Sequence, residues 1–97
     1  MKTKLRLGVR VPNEGARRLA LWIMQQPVGA LDRMLRKTGI GQISMERMMA
    51  GEVTPAASVG YQIYAFTGCT VAITDWDHPA EGGWFEPITA TRLRRVA

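Results

Sequence analysis

The strongest constraint on the fold is one break, Gly39-Ile40-Gly41, between two short apolar stripes. The stripe before the break has the i, i+3, i+4, i+7 spacing of one helical face and consists of Leu31, Met34, Leu35 and Thr38. The stripe after it consists of Met45, Met48 and Met49. Because glycine adopts positive φ readily, it can end one helix and let the next begin at a steep angle. The pattern predicts helices over residues 28–38 and 42–50.

Two helices joined by three or four residues that include glycine are typical of a helix-turn-helix, whose second helix enters the DNA major groove. The outward positions of the second helix suit base contacts, and they are Gln42, Ile43, Ser44, Glu46 and Arg47. Gln, Ser and Arg bind base edges, while an aliphatic side chain can contact a thymine methyl group. This helix is therefore a candidate for reading DNA sequence.

The charge balance favours a polyanionic partner, since 13 Lys and Arg residues against 8 Asp and Glu residues give a net charge of +5. A run of charged residues is often only a solvated face of a protein. The position of the cations near the turn is what favours a nucleic-acid partner. The cations predicted to contact DNA phosphates are Arg17, Arg18, Arg33, Arg36 and Lys37. Residues 75–86, in contrast, are acidic.

The N-terminal segment alternates strictly between apolar and polar or basic residues over positions 3–11, which predicts a half-buried strand. Residues 1–12 could equally serve as an arm that binds DNA. Asn13 is a good N-cap for the helix that follows, and Pro27 ends that helix.

The C-terminal third predicts a fourth helix that ends at Gly68. The β-branched residues 70–76 then predict a second strand, and residues 85–90 a short third one. A chain of 97 residues supports a single domain, with residues 77–97 as a C-terminal extension.

The side chains present do not assemble into a catalytic, metal or cofactor site. Cys69 and His78 are each the only residue of their kind, so one chain cannot build a Cys/His zinc site or a Cys-His nucleophile pair. The Gly39-Ile40-Gly41 turn lacks the third glycine of a dinucleotide-binding loop. We therefore expect neither an enzyme activity, nor a metal, nor a cofactor.

The hydropathy pattern gives no membrane segment. The longest apolar stretch, residues 19–24, is far shorter than the span of about 20 residues that crosses a bilayer. Arg6, Arg10 and Pro12 interrupt the basic N-terminus where a signal peptide would have an apolar core. With a single cysteine, the sequence predicts a cytoplasmic protein that has no membrane partner.

The turn also carries a resemblance to a known family. Gly39, Ile40, Gln42, Met45 and Met48 occupy the turn glycine, aliphatic, glutamine and two apolar positions of that family's motif. Over about residues 13–79 the chain resembles the Cro/λ-repressor-like (XRE) helix-turn-helix family, and its closing segment is similar to phage Cro-like and YdaS-type domains. The resemblance implies a mainly α fold, a four-helix λ-repressor-like domain with short flanking strands, or a Cro-like α+β variant.

The function that the resemblance implies is a transcriptional regulator of phage or mobile-element type, such as a repressor. It would bind specific double-stranded DNA as a homodimer, with half-sites about one helical turn apart. Its paired strands, or an exposed apolar strand face, would form the dimer contact. An alternative stays open, in which the same fold binds a protein partner, as an antitoxin-like or anti-repressor module; Leu35, Ile43 and Glu46 favour it.

Overall fold

The computed structural model describes residues 7–86, which form four α-helices and one short 3-10 helix. The elements are α1 (Glu14–Met24), α2 (Ala30–Thr38), α3 (Gln42–Met49), α4 (Ala57–Phe66) and the 3-10 helix (Ile73–Asp77). No strand occurs within residues 7–86. The mainly helical fold class predicted from the sequence is therefore confirmed.

Local capping signals set the helix ends. The Asn13 side chain accepts a hydrogen bond of 2.8 Å from the backbone N–H of Ala16, which confirms it as the N-cap of α1. α3 ends in a Schellman motif, in which Gly51 has a φ of +80° and the Glu52 N–H donates to the Arg47 carbonyl at 2.9 Å. These bonds satisfy carbonyl groups that the end of a helix leaves unpaired.

The core lies where all these elements meet. α1 and α4 both pack against the 3-10 helix, and α2 packs against α4. The buried apolar side chains at the centre are Ala16, Leu19, Ala20, Leu31, Met34, Met45, Met48, Met49, Ile63, Val71, Trp76 and Trp84. Both stripes beside the turn contribute to this cluster, so their helical periodicity correctly identified the inward faces of α2 and α3.

The strand predicted over residues 70–76 is wrong, because the 3-10 helix occupies most of that segment. Two contacts explain why these β-branched residues do not form an extended strand. The Asp75 carboxylate accepts the N–H of Ala72 at 2.7 Å, which closes the first turn of the 3-10 helix. The Trp76 ring is buried against Gly15 of α1. A local cap and the burial of one large ring outweigh β propensity here.

The N-terminal strand is not formed over the described part of residues 3–11, and residues 3–6 lie outside the described range. Leu7 and Val11 are half-buried against the core, whereas Val9 is fully exposed, so the apolar side chains do not share one face. The Trp84 indole N–H donates to the Gly8 carbonyl at 2.8 Å, and this bond ties the segment down without a strand ladder.

The predicted strand over residues 85–90 is likewise absent at residues 85 and 86, and residues 87–90 lie outside the described range. The dimer contact predicted on paired strands therefore has no strand to use within residues 7–86.

We predict that Gly15→Ala destabilises the fold, although alanine is the better helix former by about 1 kcal/mol. A Cβ at residue 15 would lie 2.7 Å from both Cγ and Cε3 of the buried Trp76 ring. Overpacking of this kind lowers the free energy of unfolding by about 1–3 kcal/mol. Urea unfolding followed by circular dichroism measures the change.

Gly60→Ala is the matched control, because Gly60 lies in α4 and faces the same 3-10 helix. A Cβ there would meet Ile73 Cγ2 at an ordinary 3.4 Å, so we expect this variant to be as stable as the wild type or more so. Equal stability of the two variants would contradict the close packing of α1 on Trp76.

Candidate nucleic-acid interface

The turn between α2 and α3 is three residues long and is built on two different glycine conformations. Gly39 has a left-handed φ of +74°, and its N–H donates to the Leu35 carbonyl at 2.9 Å, which ends α2. Gly41 is extended and precedes the first residue of α3. The Thr38 hydroxyl donates to the Met34 carbonyl and accepts from the Ile40 N–H, and these two hydrogen bonds stabilise the turn.

The two faces of α3 differ sharply in exposure. Met45, Met48 and Met49 are at most 3% exposed and fix the helix to the core. Of the five predicted base-reading residues, Gln42, Ile43, Ser44 and Arg47 are exposed and Glu46 is half-buried. The helix therefore presents one contiguous surface that combines amide, hydroxyl, guanidinium and aliphatic groups.

Gln42 and Glu46 are linked on this surface, since the Gln42 amide donates to the Glu46 carboxylate over 3.4 Å. The pair has the i, i+4 spacing at which helical side chains meet. The long distance makes it a weak bond that a stronger partner for either side chain would replace.

Three of the predicted phosphate-contacting residues, Arg33, Arg36 and Lys37, are exposed on α2. The Arg33 guanidinium reaches back to the Val28 carbonyl at 3.4 Å, near the start of the helix. Arg36 and Lys37 lie in the last turn of α2, next to the Gly39 turn. Cations in a last helical turn also interact favourably with the helix dipole.

The other two predicted phosphate contacts, Arg17 and Arg18, are corrected by the structure. Their side chains are 2% and 6% exposed, and both are ion-paired with the buried carboxylate of Glu14, at 2.8 Å and 2.6 Å. A charge is buried at acceptable cost only when it is paired and hydrogen-bonded. Both guanidinium groups are paired with Glu14, although Arg18 Nη2 is buried without a hydrogen bond and lies 3.9 Å from the Glu81 carboxylate. Neither guanidinium is accessible to a DNA phosphate.

The same cluster holds the segment at the C-terminal end of the described range. Arg17 donates to the carbonyls of Gly83 and Glu86, at 3.1 Å and 2.9 Å. The second oxygen of Glu14 accepts the backbone N–H of Glu81 at 2.8 Å. The two arginines that the sequence suggested as DNA ligands are thus part of the scaffold that anchors α1.

Sequence reasoning missed an open cleft of about 400 Å³ beside the turn. Thr54 and Gln62 enter this cleft from the loop after α3 and from α4, and they lie beside Ser44 and Arg47. The cleft therefore extends the polar surface of α3 toward α4. Nothing in the local sequence around Gln62 marks it, because its position depends on how α4 packs.

Neither a cluster of metal ligands nor a membrane-spanning helix is found among the described residues. Within residues 7–86, no group of three His, Cys, Asp or Glu side chains is placed to hold a metal ion. None of the helices described there is both long enough and apolar enough to cross a membrane.

Comparison of the chain with protein-family models, curated proteins and solved structures finds no match. The similarity to the Cro/λ-repressor-like family therefore stays a prediction from the residues around Gly39. Function has to be inferred from the chemistry of the surface that α2 and α3 present.

We predict that Arg17→Met lowers the free energy of unfolding by about 3 kcal/mol, because it removes one partner of a buried ion cluster and leaves two carbonyls without their donor. Arg36→Met is the matched control and should change stability by no more than about 0.5 kcal/mol, since its side chain is exposed. Chemical denaturation of both variants measures the difference. If the two arginines contribute equally to stability, the scaffold role of Arg17 is wrong.

Proposed function

We propose that this chain is a sequence-specific, double-stranded DNA-binding transcriptional regulator of the Cro/λ-repressor-like type, of phage or mobile-element origin. The observation that carries the proposal is the division of α3 into a methionine face fixed in the core and an exposed face of Gln42, Ile43, Ser44 and Arg47. In this proposal α3 enters the major groove, and α2 crosses the phosphate backbone beside it.

Base reading is assigned to the exposed face of α3. Gln42 can form a bidentate pair with adenine, and Arg47 can form one with guanine. Ile43 is 69% exposed and supplies an apolar contact for a thymine methyl group. Glu46 can accept from the amino group of cytosine once Gln42 has turned to its own base. Ser44 can bind either an acceptor or a donor.

Phosphate contacts are assigned to Arg33, Arg36 and Lys37. They are exposed on the helix that precedes the reading helix, where positive charge fixes the register of a protein on DNA without reading sequence. This set is smaller than the one proposed from charge alone, because Arg17 and Arg18 are neutralised inside the protein.

A homodimer follows from the size of the reading surface. α3 has eight residues and is therefore about 12 Å long, enough to contact only a few base pairs. Two copies related by a two-fold axis would double the site and read a palindrome, with half-sites roughly 34 Å apart.

A second candidate function is protein binding through the same helices, as an antitoxin-like or anti-repressor partner. The exposed Ile43 favours it, because an aliphatic side chain exposed in the first turn of α3 also suits a protein interface. Glu46 favours it too, since its carboxylate would repel phosphate groups.

Selection from randomised double-stranded oligonucleotides on the purified protein separates these two candidates. Enrichment of one palindromic motif, which then competes better than its scrambled version, supports DNA reading. If no sequence is enriched, protein binding is the better account.

We predict that binding to the selected site weakens steeply as salt rises. The three cations assigned to phosphates in each protomer, six per dimer, give a slope of roughly −5 in log K against log salt concentration, because each phosphate contact contributes about −0.9. Fluorescence anisotropy titrations at several salt concentrations measure the slope. A slope near zero would mean that no phosphates are bound.

We further predict that Gln42→Ala and Arg47→Ala change which sequence is preferred, whereas Arg36→Ala weakens all sequences alike. Loss of one bidentate base contact removes about 1–3 kcal/mol of discrimination at one position. Loss of the Arg36 cation should reduce the salt slope by about one per protomer.

The measurement is the affinity of each variant for the best site and for its single-base variants. Arg36→Ala serves as the control for the two α3 variants, because all three remove an exposed side chain. If all three scale every affinity by the same factor, α3 does not read bases.

A further inference from the structure

α4 has an exposed face without any charge. None of its ten residues is acidic or basic. Ser58, Tyr61, Gln62 and Ala65 are exposed at i, i+3, i+4 and i+7, so they form one continuous stripe. Depletion of charge and the presence of tyrosine distinguish the centre of a protein interface from ordinary surface.

This stripe forms one wall of an open groove of about 500 Å³ between α4 and the end of α2. The described residues that line it are Lys37, Thr38, Tyr61, Gln62, Ala65 and Phe66. The Phe66 ring is held from behind by an edge-to-face contact with Trp22 of α1, at a centroid distance of 5.7 Å. The groove therefore has a fixed aromatic floor, with the small Ala65 side chain leaving room above it.

Neutral aromatic groups continue beyond the groove. The Tyr61 and Tyr64 rings lie 6.3 Å apart along α4. A side-chain hydrogen bond with Cys69 raises the pKa of Tyr64 above its ordinary value of 10.0. A tyrosine is uncharged at neutral pH even without this shift, so α4 as a whole presents no charge to a partner.

The opposite wall of the groove carries a positive charge from Lys37, which is the charged side chain among the described lining residues. Arg33 and Arg36 are exposed on the same helix but do not line the groove. None of the described lining side chains is acidic. An apolar floor below a cationic rim is complementary to a segment that carries large apolar anchors and acidic flanking residues.

We propose that this groove binds an amphipathic helical segment of a partner protein, with apolar anchors on the aromatic floor and acidic residues opposite Lys37. A second copy of the chain fits less well. A two-fold contact through this groove would bring the cationic ends of two α2 helices close together. The apolar floor of the groove is separate from the DNA-reading surface, because Tyr61, Ala65 and Phe66 are not among the proposed DNA contacts. Lys37 is common to both proposals, so a bound partner segment would compete with a DNA phosphate for this cation.

The test starts with a displayed library of random helical peptides, each roughly 14 residues or about four turns long. The library is selected on the wild-type protein and counter-selected on Ala65→Gln, in which a longer neutral side chain fills the groove. We expect survivors with large apolar residues at i, i+3 or i+4 and i+7, and with Asp or Glu between them. No survivors, or survivors without acidic residues, would overturn the proposal.

A synthesised survivor is then titrated against variants by fluorescence anisotropy. We expect Ala65→Gln to weaken its binding about tenfold or more, and Lys37→Gln to weaken it several-fold at low salt. Ala57→Gln is the control, since it makes the same change at an exposed position of α4 outside the groove. Equal loss in Ala57→Gln and Ala65→Gln would overturn the location of the site.

Two further measurements complete the test. Circular dichroism checks that each variant is folded. Sedimentation without peptide shows whether Ala65→Gln dissociates a dimer, in which case the groove holds a second copy and the proposal fails. DNA affinity should be unchanged in Ala65→Gln, so failure here leaves the DNA proposal standing on its own evidence.

Discussion

The buried carboxylate of Glu14 organises both ends of the described structure. It is 1% exposed, and it accepts from Arg17, from Arg18 and from the backbone N–H of Glu81. Because removing any partner would leave a buried charge or polar group uncompensated, α1 and the segment after the 3-10 helix are stabilised together. The exposed face of α3 is oriented separately, because Met45, Met48 and Met49 on its other face are buried in the core that α1 shares.

The parts of the fold that could be predicted from the sequence are those with a local physical cause. Asn13 caps its own helix, and Gly39 ends α2 by adopting a positive φ. The segment 70–76 could not be predicted, because its 3-10 helix depends on the packing of the Trp76 ring against Gly15, 61 residues away in the chain. β propensity describes the preference of a residue in isolation, whereas the burial of an aromatic ring depends on the residues that pack around it.

The candidate site also has a part that local sequence predicts and a part that depends on distant contacts. The exposure of Gln42, Ile43 and Arg47 follows from helical periodicity alone, because the methionines on the opposite face of α3 have to be inside. Counting charges misassigned Arg17 and Arg18, since a net charge does not distinguish a solvated guanidinium from one neutralised by a buried carboxylate. Arg17 and Arg18 lie at the i+3 and i+4 positions from Glu14, where helical side chains pair, but their burial depends on residues 81–86.

The contacts of residues 81–86 also determine where the chain can be truncated without loss of buried hydrogen bonds. The similarity to repressor domains predicted from the sequence covers about residues 13–79, so a boundary based on that prediction would fall near residue 79. Such a fragment would lose the Glu81 N–H that Glu14 uses and the two carbonyls that Arg17 uses. It would also lose Trp84, whose indole holds the Gly8 carbonyl. The buried interactions of α1 therefore require the chain up to Glu86, beyond the boundary that the predicted similarity suggests.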